Sequence, residues 1–217
     1  DLLATARRPL IVVGPAMARK ARGAAVEALT GATGIPALPV ESPRGLNDPW
    51  LRAAANVFAQ ADAVLLLGKR LDYGLRFGDA GVFAADRRLI QVDWDAAALA
   101  GDARVALSVV GDPARVAEQL AAAAAGRQWK HAAWGEEVRA ARASTPADWA
   151  SLRKATTRPI HPLRVCAALQ PHLDRGAILV ADGGEYGQWI QAGCEAGTRL
   201  INGPSGSIGS AIPMALG

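Results

Sequence analysis

Cysteine, histidine and long apolar runs are all scarce in this 217-residue chain, and each scarcity excludes a class of protein. Its two cysteines, Cys166 and Cys194, stand alone, with no Cys-x-x-Cys pair and no histidine at ligand spacing. Neither a disulfide framework nor a metal site is therefore expected. Apolar runs such as residues 10–13 and 64–67 fall far short of the ~20 residues that cross a bilayer, so no membrane span is expected. The sequence opens at Asp1 without a charged-then-apolar leader, so no signal peptide is expected and a cytoplasmic location is. Aromatic residues make up 5% of the chain and are not interleaved with basic ones. The net charge of +4 is dispersed as Arg among Ala-rich segments. Without a basic stripe or a recognition helix, a nucleic-acid partner is excluded.

What the chain does have is core. Hydrophobic residues form 51% of it and charged residues 20%. Its length exceeds the usual ~100 to 200 residues of one domain, which suggests one complete domain and part of another. Residues 8–14 read as a short apolar strand ending at Gly14, and residues 18–33 as an Ala-rich helix. Strands are expected again at 36–40, 63–67, 89–92 and 105–110, and helices at 50–60 and 113–125. Apolar strands alternating with helices predict an α/β fold, a doubly wound parallel sheet of Rossmann-like type, over residues 1–126. Residues 127–159, with Trp129, Trp134 and Trp149, read as a helical linker whose tryptophans anchor it by packing. From 160 to 217 an incomplete second α/β unit is expected: a helix opened by Pro162, a strand at 177–181, a strand at 199–201, and one last helical turn. Two strands alone are not expected to bury a core of their own.

In open parallel sheets ligands lie beyond the carboxyl ends of the strands. In the first domain those positions hold Gly14, Gly68, Lys69, Arg70, Asp72, Asp93 and Asp112. Glycines there let backbone approach a phosphate, Lys69 or Arg70 can pair with it, and Asp93 can accept from a ribose hydroxyl. The first loop is Gly14-Pro15-Ala16-Met17 and not Gly-x-Gly-x-x-Gly, and Pro15 lacks one of the N–H donors a pyrophosphate would use. A nucleotide site and a purely structural set of tight turns both fit.

The tail is more specific. Asp182-Gly183-Gly184-Glu185-Tyr186-Gly187-Gln188-Trp189 places glycines between a strand and a helix, where backbone N–H groups can meet a diphosphate. Further on comes Gly203-Pro204-Ser205-Gly206-Ser207-Ile208-Gly209-Ser210. This pair of motifs resembles the start of the cofactor domain in thiamine-diphosphate enzymes of the acetolactate synthase and oxalyl-CoA decarboxylase type. The runs Leu67-Gly68-Lys69-Arg70-Leu71-Asp72, Ile90-Gln91-Val92-Asp93 and Val110-Gly111-Asp112 are similar to that family's middle domain in order and spacing.

The resemblance implies a parent enzyme that uses thiamine diphosphate and Mg²⁺ to decarboxylate or ligate a 2-oxo acid or an acyl-CoA, as a homodimer or homotetramer. It implies Gly183, Gly184, Glu185 and Tyr186 at the cofactor diphosphate, and Gly206 and Ser207 at the aminopyrimidine with Gly206 offering its carbonyl. Ile208 takes the place of the apolar wedge that bends the cofactor, bringing the pyrimidine amino group to the thiazolium C2 proton. The activating glutamate and the Mg²⁺ ligands are expected outside these residues, so the chain alone is expected to be inactive. The middle domain would hold FAD, hold ADP, or hold neither. A nucleotide-binding or structural module of an unrelated protein remains the alternative, and it leaves residues 206–209 unexplained.

Overall fold

A computed structural model describes the chain except for residues 16, 18, 19, 100, 101 and 204, with residues 20 and 21 described by backbone alone. The chain divides into two compact units, Asp1–Glu41 with Ala53–Ala141 and Ser42–Arg52 with Arg142–Gly217.

The first unit is built on a five-stranded parallel sheet of β1 (Pro9–Val13), β2 (Ala37–Pro39), β3 (Ala63–Leu67), β4 (Arg88–Asp93) and β5 (Val105–Val110), in the order β2-β1-β3-β4-β5. The sequence-predicted doubly wound sheet is thus present. Every residue of β1 and β3 is buried, as continuous β-branched and leucine runs demand of strands covered on both faces. Ile11, Leu65, Leu67 and Val92 pack with Leu29 of α1 (Lys20–Thr33) and Ala117 of α2 (Pro113–Ala124). Pro113 opens α2 behind an Asp112 N-cap, whose carboxylate accepts from the Ala114 N–H at 2.8 Å. Trp134, in α3 (Ala132–Ala143), is buried and donates its indole N–H to the Pro9 carbonyl at 2.8 Å.

Two expectations are corrected. The Ala-rich run at 50–60 forms a 3₁₀ helix over Arg52–Ala59 and not an α-helix. Arg52 enters it with a left-handed φ of 51°, which an α-helical first turn does not admit. The edge strand β5 is also less covered than its apolar sequence suggests, leaving Leu107 and Val110 exposed.

The second unit contains α4 (Trp149–Leu152), α5 (Pro162–Leu173), β6 (Leu179–Ala181), α6 (Gly184–Gly193), β7 (Arg199–Ile201) and α7 (Ala211–Leu216). Strands β6 and β7 pair in parallel. Contrary to expectation, this unit does bury a core of its own. Leu163, Cys166 and Leu173 of α5 meet Ile190 of α6 and Leu179 of β6, with Trp149, Leu152 and Trp189 against them. The helices, not the strands, supply most of that apolar surface, so two strands suffice. Both cysteines lie in this core as free thiols. A second feature is the segment from Ser42 to Arg52. The guanidinium groups of Arg142 and Arg199 both lie over its Trp50 ring, 3.7 and 4.6 Å from the ring centre. Glu195 accepts from both Arg52 and Arg142.

Candidate active site

Because β6 and β7 run in parallel, their carboxyl ends share one edge, and the two glycine-rich loops leave from that edge. Asp182, directly after β6, joins them. One carboxylate oxygen accepts from its neighbour Gly183 at 2.7 Å, and the other accepts from the Gly209 and Ala211 N–H groups at 2.8 and 3.2 Å. These bonds, Gly183 foremost, hold the carboxyl below the ordinary aspartate range. The two tail motifs, 27 residues apart at the Asp182–Gly209 contact, are thereby one structure.

Helix α6 starts at this edge. Its N-cap, Gly183, forms no side-chain cap, so the first turn keeps backbone N–H groups free of side-chain acceptors, with Glu185 and Tyr186 exposed in that turn. Gly184 holds a φ of +82°, and a Cβ built there would meet nothing within 4 Å. The backbone is therefore open to a ligand at the place where an anion is favoured. Gly187 is different in kind: a Cβ there would lie 2.1 Å from the Asp182 carbonyl, so its glycine serves the tight fold of strand into helix.

Ile208 is 79% exposed, yet its side chain rests on Gly183, whose missing Cβ would lie 2.8 Å from Ile208 Cγ1. The neighbouring Gly206 turns with φ +65° and donates its N–H to the Gly203 carbonyl, while the Ser205 and Ser207 hydroxyls pair at 3.2 Å. The structure thus brings Gly183, Gly184, Glu185 and Tyr186 to the edge that also carries Gly206, Ser207 and Ile208. Three further residues stand there: Asp182 as the loop tie, buried Asn202 beside Gly183, and Arg44, from the run after β2, whose guanidinium donates to the Gly184 carbonyl at 3.5 Å. An Asp between a strand end and a Gly-Gly pair is a local signal for the first, and for Arg44 the local signal is its place just after an apolar run.

In the first unit the carboxyl edge is arranged otherwise. A Cβ on Gly14 would lie 1.9 Å from the Gly68 carbonyl oxygen, so the glycine at 14 lets the ends of β1 and β3 touch. Lys69 is buried and its Nζ donates to both Asp72 oxygens at 2.9 and 2.7 Å. Arg70 pairs with Asp95 at 2.8 Å, Asp93 accepts from the Asp95 N–H, and Asp112 pairs with Arg22. Exposed Trp94 follows Asp93, with the Arg22 guanidinium 5.6 Å from its ring centre. All the candidate nucleotide residues share this edge, and its charged side chains have partners within the protein.

No helix among the described residues is long and apolar enough to cross a membrane, and no group of three or more potential metal ligands occurs among them. Residues 1–120 match the family model described as thiamine pyrophosphate enzyme, central domain. Acetolactate synthase large subunit IlvG of Mycobacterium tuberculosis is 32% identical over 99% of this chain and 40% of its own length. 2-Hydroxyacyl-CoA lyase 1 of Mus musculus is 26% identical over the whole of this chain and 39% of its own. Oxalyl-CoA decarboxylase of Escherichia coli is 36% identical over 52% of this chain and 21% of its own. The chain thus spans about two-fifths of the length of the first two relatives.

Proposed function

Since this chain belongs to the thiamine pyrophosphate enzymes through their central domain, we propose that residues 160–217 supply the diphosphate-side half of the cofactor site in a 2-oxo-acid or acyl-CoA decarboxylase or carboligase. The observation that carries this reading is Ile208, exposed and seated on Gly183 at the edge where the uncapped start of α6 lies. An open backbone N–H cradle and an apolar prop, side by side, fit a ligand with an anionic tail and an aromatic body.

In this reading Gly183, Gly184, Glu185 and Tyr186 hold the diphosphate, through backbone N–H groups at the start of α6. Gly206 and Ser207 face the pyrimidine, and Ile208 sets the angle between the two rings. Asp182 keeps the two loops at a fixed separation, so that diphosphate and rings are bound at once. When bound, the cofactor supplies the electron sink for breaking the bond next to the substrate carbonyl, and the protein supplies orientation and electrostatics. The glutamate that activates the pyrimidine and the Mg²⁺ ligands belong, in this proposal, to parts of the enzyme outside these residues, and the chain alone is inactive. A homodimeric or homotetrameric, cytoplasmic enzyme completes the reading.

The test is calorimetric titration of the intact protein with thiamine diphosphate and Mg²⁺, followed by assay against 2-oxo acids and acyl-CoA thioesters. Saturable cofactor binding with carbon dioxide release, or with transfer to a second carbonyl compound, is expected. Absence of cofactor binding would sink the proposal. A second reading, FAD or ADP on the first unit, is favoured by exposed Trp94 beside Asp93, which offers a base a stacking face at a strand end. Parallel titrations with FAD, ADP and coenzyme A decide it; no heat from any of the three leaves that edge a scaffold.

A further inference from the structure

Two side chains of the second unit stand at the start of α6 without the partners their chemistry calls for. The first is Arg44, carried by the segment Ser42–Arg52, which belongs to that unit. This segment reaches both glycine-rich loops. Pro43 Cβ lies 3.7 Å from the place a Cβ on Gly206 would take, and the Arg44 guanidinium donates to the Gly184 carbonyl. Among the described residues that contact, at 3.5 Å, is the one hydrogen bond of the Arg44 side chain, and no carboxylate pairs with it. Asp182 is taken up by three backbone N–H groups, and Glu185, exposed in the first turn, forms no ion pair with Arg44. A helix start is the positive end of its dipole, where a cation is disfavoured and an anion favoured.

The second is Asn202, directly after β7 and 5% exposed. Its amide nitrogen lies 3.3 Å from the place a Cβ on Gly183, the N-cap of α6, would take. The side chain makes no hydrogen bond among the described residues, yet neither of its polar atoms is sealed from solvent. Nearly buried amides are almost always partnered, because an unmade bond carries the cost of desolvation. Ile208 Cγ1 and Cδ1 approach the same point, so the amide, the apolar prop and the uncapped helix start converge on one bare glycine.

We propose that Arg44 and Asn202 bind the anionic tail of the ligand held by the start of α6, Arg44 as its countercharge and the Asn202 amide as a neutral donor, both to phosphoryl oxygens. Backbone N–H groups supply no full charge, and the planar guanidinium fork matches a phosphoryl group with two parallel bonds. The inference rests on the thiamine diphosphate reading of this site and adds two side chains to it, one of them 140 positions ahead of Gly184.

The experiment is calorimetric titration of the intact protein with thiamine diphosphate and Mg²⁺, for the wild type and four variants. Arg44→Gln keeps a donor for the Gly184 carbonyl and drops the charge; it is expected to weaken binding at least about tenfold, the loss of a charge-assisted bond, and Arg44→Lys to weaken it less. Added salt weakens the wild type more than Arg44→Gln. Asn202→Asp has the shape of the amide with an acceptor in place of its donor, and is expected to bind more weakly than Asn202→Ala. Thermal unfolding without cofactor separates binding from structure: Arg44→Gln melts no lower than the wild type, because the guanidinium has no ion pair to lose. If the wild type binds and Arg44→Gln binds equally well, or Asn202→Asp binds at least as tightly as Asn202→Ala, the assignment is overturned and the thiamine reading stands. The assignment falls equally if Arg44→Gln melts lower without cofactor. A wild type that does not bind the cofactor overturns both.

Discussion

Gly14→Ala and Gly23→Ala make the same chemical change 9 residues apart, and the structure assigns them opposite signs. At Gly14 the new Cβ would lie 1.9 Å from the Gly68 carbonyl oxygen and 2.6 Å from its carbon. Both are backbone atoms, so no rotamer relieves the clash, and β1 and β3 must part at their carboxyl ends. There the Gly14 N–H donates to the Leu67 carbonyl at 3.0 Å. Losing that bond costs about 1 kcal/mol and forced overpacking about 1–3 kcal/mol more, hence roughly 2–4 kcal/mol in all. For a chain of this size that lowers the melting temperature by roughly 5–15 °C. At Gly23, within α1, a Cβ meets nothing within 4 Å. Alanine there gains about 0.5–1 kcal/mol of helix propensity and raises the melting temperature by a few degrees. Thermal unfolding followed by far-ultraviolet circular dichroism reads both. If the Gly14 variant melts at or above the wild-type temperature, the close approach of β1 to β3 is wrong.

Three further outcomes are expected. In the intact enzyme Ile208→Ala lowers turnover more than thiamine diphosphate affinity, since the side chain sets ring geometry and leaves the diphosphate contacts intact; steady-state kinetics with a cofactor titration separates the two, and unchanged turnover removes Ile208 from the mechanism. Glu195→Ala leaves the partly buried guanidinium groups of Arg52 and Arg142 without their shared carboxylate and destabilises the second unit by about 2 kcal/mol, read by urea unfolding; an unchanged midpoint argues against that network. Burial raises the Asp62 pKa, but the Arg7 and Arg8 N–H groups outweigh it and hold the carboxyl below 3.8. Its stabilisation is therefore present above pH 3.8 and lost as pH falls through the lower folded value, so Asp62→Ala costs roughly 1 kcal/mol near neutrality and progressively less as pH falls below 3.8. A difference from wild type that stays constant across that range contradicts the linkage.

The parallel sheet was legible in the sequence because the residues that make it act locally. Apolar runs ending in Gly14, Gly68 and Asp93 mark β1, β3 and β4 with boundaries within a residue of those observed. The stretch that became a 3₁₀ helix misled for the same reason: Ala-rich spacing reports helix propensity, and the left-handed Arg52 at its entry leaves no mark in composition. The core of the second unit was missed because it is counted in helices, and a tally of strands does not see Leu163, Cys166 and Ile190 converge. At the candidate site the glycine-rich loops announced themselves, while the partner of Arg44, Gly184, lies 140 positions away in sequence and has no local signal. The tryptophans at 129 and 134 were rightly read as packing residues, since Trp129 packs against the first unit's core and Trp134 is buried and bonded to Pro9.

The passage of residues 42–52 into the second unit also has a temporal side. On the ribosome Trp50 emerges about 150 residues ahead of Arg199, one of the two guanidinium groups that lie over its ring, an interval of roughly 8–30 s at ordinary synthesis rates. During that wait the neighbouring strands can already pair, while the Trp50 indole lacks its cationic partners. Synthesis slowed downstream of Ala141 therefore prolongs the wait of this segment for its partners more than slowing upstream of Ser42 does.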